Sequence, residues 1–470
     1  MAVSWPDHFP SRLMGRRLGS SGLSSFAIAL EAWRRGLEVT FTAADLHLYT
    51  VSNSEKNVKF NFSRPDSHTT REDYLRLDRK AETNAILASH GIPSPTSKLL
   101  EVTNITHDQL RVIASEIGYP LVLKPNQGSM GRGVFSGIKD SEELFDAFQE
   151  LTVKQKQKSI LIERHHTGDD YRLLVVGNRV VGAVKRIPAN VIGDGKSTVA
   201  ELISAKNDRR IRNPFLESGL IKIDYEVRKC LTDQGLTVES IPPNKRKVTL
   251  RRVANASAGG DVQDVTDTIP ENIKEAAISA VRVLPNIYIA GVDVLYDASD
   301  EENYVIIEIN SRPQIGVNMY PSIGTGRDAP KAILDSFFPD SSRPSEDGFK
   351  TIRFNPSAVR DIFAEGLASK VTLPHLPLEA FPFRQRFLFE AIEGAVQLRP
   401  YTGRIVKKMA RTRGISGKII SRDDGSLELF VAGRSASDAK TLVDKVSEFC
   451  GQIPKASAWE GIVTVGFQIS

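Results

Sequence analysis

The chain of 470 residues predicts an α/β body followed by a smaller α+β domain. Three observations carry this. Apolar strands alternate with amphipathic helices through the first two thirds. Two very apolar strands carrying acids close that part, and a βαββαβ order fills the end. The length exceeds one ordinary core, so two or three domains are expected. They fall as an N-terminal α/β region over 1–105, a main α/β domain over 106–340, a linker over 341–380 containing "SSRPSEDG", and the α+β domain over 381–470.

The elements follow in order. "SSFAIALEAWRRGLEVTFTA" reads as an amphipathic helix, a stop at Gly36 and a strand over 37–41, a helix–strand pair of an open α/β sheet. "REDYLRLDRKAETNAILASHG" is a charged helix closed by Gly91 and a turn at Pro93 and Pro95. Thr106 and Gln109 form a capping box for the next helix, which Gly118 stops. "LVLKP" is a strand entering a glycine-rich loop. "SILIERH" and "YRLLVVGNRVVGAVKRIPA" add strands, the second folded at Gly177-Asn178 into a tight hairpin. Thr198 and Glu201 cap a short helix. "YIAGVDVLYD" and "YVIIEINSRP" are strands joined by "ASDEEN". From about Phe387 come a strand, a helix over 401–413, strands over 415–420 and 426–432, a helix over 437–449 and a strand over 462–469. That order is a split-βαβ sandwich.

Composition excludes several classes. No apolar run is long enough for a membrane helix. The opening "MAVSWPDHFPSRLMGRR" puts prolines and charges where a secretory signal needs an apolar stretch. Cys230 and Cys450 lie far apart without ligand spacing, which argues against a disulfide framework or zinc site and fits a cytoplasmic protein. A net charge of +5 is too modest to predict nucleic-acid binding.

Three stretches carry chemistry. In "KPNQGSMGRGV", Lys124 ends a strand, and Gly128, Gly131 and Gly133 let backbone N–H groups approach phosphate oxygens. Taken alone, the loop fits the tip of a β-hairpin equally well. In "VDVLYD" and "EIN", side-chain alternation puts Glu308 and Asn310 on one face and Ile307 and Ile309 on the other, with Asp293 on the neighbouring strand. Two carboxylates and an amide oxygen are the hard ligands that Mg²⁺ prefers. A solvated sheet face is the alternative, although acids within so apolar a run rarely sit idle. "ILIERHHTGDDYRLLVV" offers a strand exit, a turn and an acid pair suited to an adenosine cleft, or simply an exposed acidic turn. His165 and His166 read as a surface pair.

Together these motifs, with "RRVANASAGGDVQDVTD" and "IIEINSRPQIGVNMYPSIGTGRDAPKAILDSFFP", resemble the ATP-grasp superfamily of carboxylate–amine ligases from about residue 21 to 339. Within it the chain resembles the glutathione-synthesising module of bifunctional glutathione synthases and the ATP-grasp part of cyanophycin synthetases. The resemblance implies ATP and Mg²⁺, with Mn²⁺ an acceptable substitute, and an ADP-forming ligase joining a carboxylate to an amine through an acyl phosphate. It implies a phosphate clamp of Lys124, Gly128, Ser129, Gly131 and Gly133, and an adenine site at Glu163, Arg164 and His166. Asp170 becomes the ribose ligand, with Lys185 a further nucleotide contact. Arg172, Arg186 and Arg252 are the implied catalytic cations. Asp293, Glu308 and Asn310 are the implied metal ligands, and Asn255, Ser257 and Gly260 the loop orienting the activated carboxylate. Positioning and charge neutralisation dominate such phosphoryl transfer. The segment from "GDGKSTVAELI" to "AGGD" is the expected mobile cover.

Departures from those families matter. The ligase domain preceding this module in the bifunctional synthases, and the Mur-ligase-like domain following it in cyanophycin synthetases, are expected to be missing. "NSRPQIGVNMY" replaces the usual sequence near the acceptor, where Arg312 suits a substrate carboxylate or a structural ion pair. The tail resembles acylphosphatase over about 85 residues, giving a ferredoxin-like domain. Thr402 and Ser421 stand at that family's arginine and asparagine positions, and Pro400 removes an N–H donor, so hydrolysis is not expected. The less favoured alternative has Arg399 partly replacing that arginine from a different loop position. Arg404, Lys407, Lys408 and Arg411 share one helix face, read as a solvated face or as a landing site for RNA or an acidic protein. The competing functions are thus acyl phosphate hydrolysis by the tail, or ATP-regulated docking through that helix. The expected partners are small-molecule substrates, neither nucleic acid nor membrane, and homo-oligomerisation is open.

Overall fold

The computed structural model describes residues 12–128, 133–300, 302–342, 351–376, 381–391 and 400–469. The chain divides into two compact units, one of residues 1–25 and 58–337, the other of residues 26–57 and 338–470.

The larger unit is organised by a five-stranded sheet. Its strands run in the order Asp261–Asp264, Arg179–Ile187, Asp169–Val176, Ile289–Tyr296 and Tyr304–Asn310, every pair antiparallel. One face is apolar because Tyr171, Leu173, Val175, Ala183, Val292 and Val294 alternate onto it. They pack with Ile273, Ala277, Ala280 and Val281 of the amphipathic helix Glu271–Arg282. The other face receives the alternate residues of the same strands, among them Asp170, Arg172, Arg186 and Asp293.

One strand does not alternate as its sequence suggests. Asp293 lies opposite Glu308 but Val294 lies opposite Ile306, so Ile307 is an extra residue, a β-bulge. The core receives Ile306 and Ile309 instead of Ile307 and Ile309. Glu308 and Asn310 still share a face, since the bulge precedes both. A two-period reading cannot see an inserted residue.

A second, four-stranded sheet has the order Ser97–Glu101, Ser159–Arg164, Leu121–Pro125, Phe135–Ile138. Leu110, Ala114 and Ile117 of helix His107–Ile117, and Leu144, Ala147 and Phe148 of helix Ser141–Gln149, cover it. The Thr106–Gln109 capping box is present, and Gly118 ends that helix at φ 85°. The glycine-rich loop lies between two antiparallel strands, as the hairpin alternative expects. The charged helix is two, Arg71–Asp78 and Lys80–Ser89, broken at Arg79 in extended conformation. The expected cover has a core of its own. Val191, Val199, Ile203, Val227, Leu231 and Val248 bring helices Val199–Arg210 and Tyr225–Thr232 against the pair Asn190–Ile192 and Lys247–Thr249.

The second unit joins distant segments. The part of helix Arg12–Arg34 from Phe26 onward leads into Glu38–Phe41, which pairs antiparallel with Leu48–Ser52 and with Val371–Thr372, so an open α/β sheet does not form there. The Phe354 ring meets those of Phe26, Trp33 and Phe41. Trp33 Nε1 donates to the Pro374 carbonyl at 2.7 Å. The stretch expected as linker thus carries strands and the helix Pro356–Ala364. Beyond it, strands Phe383–Phe389, Ser416–Ser421, Leu427–Gly433 and Lys455–Ala458 and helices Pro400–Thr412 and Ala436–Cys450 follow the βαββαβ order. The fourth strand lies earlier than expected. The 462–469 stretch divides into Val463–Thr464 and Phe467–Ile469, the latter parallel to Ser416–Ser421. Gly466, at φ 98°, separates them.

Candidate active site

The charged face of the five-stranded sheet is built by register. Arg172 lies opposite Asp293, Asp293 opposite Glu308, Asn310 opposite Gly291, and Asp170 opposite Arg186. Asp293 is 2% exposed. Arg172 donates to both its oxygens, Nε to Oδ1 at 2.6 Å and Nη2 to Oδ2 at 2.7 Å. Arg186 Nη2 adds a bond to Oδ2 at 3.0 Å and reaches Asp170 through Nε at 2.8 Å. Burial raises the Asp293 carboxyl, but the two guanidinium charges win and hold it below the usual range. Asp170 behaves oppositely. Burial and the Asp293 charge push it up to about 6 against the pull of Arg186.

Glu308 is less committed. Among the described residues its cation is Lys80, with Nζ at 3.7 Å, and Lys80 also donates to the Gly128 carbonyl at 2.8 Å. Lys80 thus bridges the glycine-rich loop and the acid-bearing sheet. Asn310 Nδ2 is buried without an acceptor among the described residues. A metal would be held by Glu308, Asn310 and the unused lone pairs of Asp293. Hard oxygens on one face, beside a loop suited to phosphate, fit Mg²⁺.

Lys124 and Glu163 form a buried ion pair at 2.7 Å, and Asn84 Nδ2 donates to the other Glu163 oxygen at 2.9 Å. Gly128 and Gly133 have positive φ, 147° and 71°. At Gly133 a Cβ would come 2.7 Å from Gln155 Oε1 and 3.1 Å from Leu151 Cδ2, so the loop passes close over the helical turn there. Ser129 and Gly131 lie outside the described residues. Arg164 turns back to donate to the Ile117 carbonyl at 3.2 Å. The half-buried His166 is lowered by burial and by neighbouring Arg164.

Lys185 does not join the charged face. It alternates to the other side of its strand, pairing with Asp169 and lying 5.8 Å from the Tyr171 ring. Arg252 is exposed and paired with Asp233 at 2.7 Å. Asn255 Oδ1 accepts from the Ser257 N–H and hydroxyl, a local turn. Gly260 abuts the end of the Arg186 strand, where a Cβ would be 2.8 Å from the Ile187 carbonyl oxygen. Arg312 is exposed, 5.9 Å from the Phe62 ring.

Three contributors escape a sequence reading: Lys80, Asn84 and Arg210. Lys80 and Asn84 fall at i and i+4 of one helix, a polar pair on one face that is the only signal. Arg210, 3% exposed, donates to the carbonyls of Gly219, Ala256 and Gly260 at 2.8–2.9 Å and so holds the 255–260 loop.

The chain carries an ATP-grasp domain: residues 77–201 match the RimK-like ATP-grasp domain model. It is 34% identical over 327 residues to the glutathione biosynthesis bifunctional protein GshAB of Clostridium perfringens, covering 67% of this chain and 41% of that protein. It is also 34% identical over 331 residues to the cyanophycin synthetase of Trichormus variabilis, covering 69% and 36%. The chain therefore spans about two fifths of the length of the curated relatives it matches. A bifunctional glutathione synthetase structure from Pasteurella multocida shares the fold, with TM-score 0.53 and 24% identity over 68% of this chain and 43% of that one.

Proposed function

We propose that this protein is an ADP-forming carboxylate–amine ligase. It passes the γ-phosphoryl group of ATP to a small, amino-acid-like carboxylate and lets an amine displace the phosphate, so that an amide forms and ADP and phosphate leave. The observation that carries this is the cross-strand set Asp293, Glu308 and Asn310, with Arg172 and Arg186 beside it and Lys80 tying it to the glycine loop. Bound Mg²⁺ would neutralise phosphate charge and polarise the transferred group.

The chain's own groups supply the rest. Lys124 is positioned by Glu163 and Asn84 to meet a phosphate as a fixed cation, with Gly128, Ser129, Gly131 and Gly133 lending backbone N–H groups. Arg172 and Arg186 are aligned before substrate arrives, so little reorganisation accompanies charge development. Glu163, Arg164, His166 and Asp170 line the nucleotide side. Lys185 contributes from the opposite strand face by fixing Asp169. Arg252, Asn255, Ser257 and Gly260 face the carboxylate substrate, and Arg312 pairs with a carboxylate on it. The cytoplasm is the expected compartment. Among the described residues no helix is long and apolar enough to cross a membrane.

The test is ADP release against a panel of amino acids and small carboxylates paired with amines, with mass spectrometry of the product. Wild type releases ADP only with the right pair. Glu308→Gln keeps the fold, by circular dichroism, and releases none. An unaltered rate in that variant, or no turnover with any pair, counts against the ligase.

A further inference from the structure

The C-terminal sheet covers one face with its two helices and leaves the other open. Alternation puts Phe387, Phe389, Leu427, Leu429, Val431 and Ile419 on the helix side. The open side takes Arg386, Glu428, Phe430 and Lys418, which are neighbours by register: Arg386 and Lys418 both lie opposite Phe430. Glu428 is the acid of this face, and it is already engaged by Arg386 and, at 2.8 Å, by Arg422.

Two other cations lie here, and among the described residues neither forms an ion pair. Arg353 enters beside the sheet on Ile352–Arg353, paired with Val463–Thr464, and its Nε donates to Thr464 Oγ1 at 2.8 Å. Its Nη1 is buried and has no acceptor among the described residues. Burial lowers the Arg353 guanidinium. The same chain segment then runs from Thr464 to Gln468, which lies opposite Lys418. Burial and the Arg353 charge lower the Lys418 ammonium against the pull of Glu428, and it lies 4.9 Å from the Phe430 ring. The Trp459 ring meets Phe430 edge-on at 5.3 Å.

Half-buried cations that must share one acid are costly, and an unused buried N–H is a donor waiting for an acceptor. Folded chains ordinarily pair such groups, as Arg386 and Arg422 are paired a few residues away. We propose that Arg353 and Lys418 form an oxyanion-binding site whose apolar wall is Phe430 and Trp459. The ligand is a small organic anion: a phosphate monoester or carboxylate on a ring or other apolar body. The guanidinium supplies directed N–H donors, the ammonium a point charge, and the rings bury the body of the ligand. The site belongs to the second compact unit and does not depend on the ligase reading.

Phenyl phosphate, benzoate and inorganic phosphate, titrated into the full chain, separate the contributions while Trp459 fluorescence reports occupancy. The expected result is a saturable change with phenyl phosphate or benzoate, weaker with inorganic phosphate, and absent in Trp459→Phe. Lys418→Met removes a strained charge and so keeps the fold, but weakens binding at least about tenfold. Arg353→Lys, which keeps charge but loses the second N–H, weakens it too. No saturable change in wild type, or an undiminished one in Lys418→Met, overturns the site.

Discussion

At the residue scale the site is a competition for two carboxyls on one face. Asp293 keeps its charge against burial because two arginines bond to it, while at Asp170 burial and the Asp293 charge outweigh the pull of the arginines. The consequence for stability has a definite sign. With its folded value near 6 and an ordinary value of 3.8, Asp170 binds a proton in the native state that the unfolded chain does not take up between those limits. Stability from this group therefore rises as pH falls from 6 toward 4, by at most about 1.4 kcal/mol per pH unit. Urea midpoints for wild type and Asp170→Asn between pH 4 and 7 should show that the variant loses this increment. At this scale the sequence discloses identity better than direction. Asp293, Glu308 and Asn310 are legible because acids interrupt an apolar run. That Lys185 turns away from Arg186 follows from simple alternation, but Lys80 and Asn84 are marked only by their spacing in a charged helix.

Single elements are set by interactions that no local pattern encodes. The bulge at Ile307 exchanges which isoleucine enters the core, yet nothing in "YVIIEIN" announces it. Capping is different, since donor and acceptor lie three residues apart. The Thr106–Gln109 and Thr198–Glu201 boxes were readable for that reason. The 255–260 loop is held from outside, by an arginine about fifty residues away in the chain. Arg210→Ala leaves the Gly219, Ala256 and Gly260 carbonyls without their charged donor. The loss should be roughly 2–4 kcal/mol in urea unfolding, with faster amide exchange at Gly260, whose N–H bonds to Asn255. Unchanged exchange there would mean that the loop holds itself.

At the scale of the whole molecule, two units with separate cores make a single unfolding transition an unsafe assumption. Phe389 is fully buried in the C-terminal core. Phe389→Ala should cost that core about 3–5 kcal/mol, while ATP continues to raise the midpoint of the ATP-grasp unit. Calorimetry with and without ATP and Mg²⁺ checks both. The overall α/β and α+β architecture was legible because periodicity is a short-range signal. The membership of Phe26–Asn57 was not, because its partners Ile352, Phe354 and Pro374 are some three hundred residues further on.

That separation also sets an order in time. Trp33, Phe41 and Phe26 leave the ribosome early, yet the segment that covers them begins at residue 338, about 280 residues after Asn57. At roughly 10 residues per second the wait is about half a minute. Throughout it the intervening unit can collapse on its own sheets while these aromatic side chains stay uncovered, a natural handhold for a chaperone on the nascent chain.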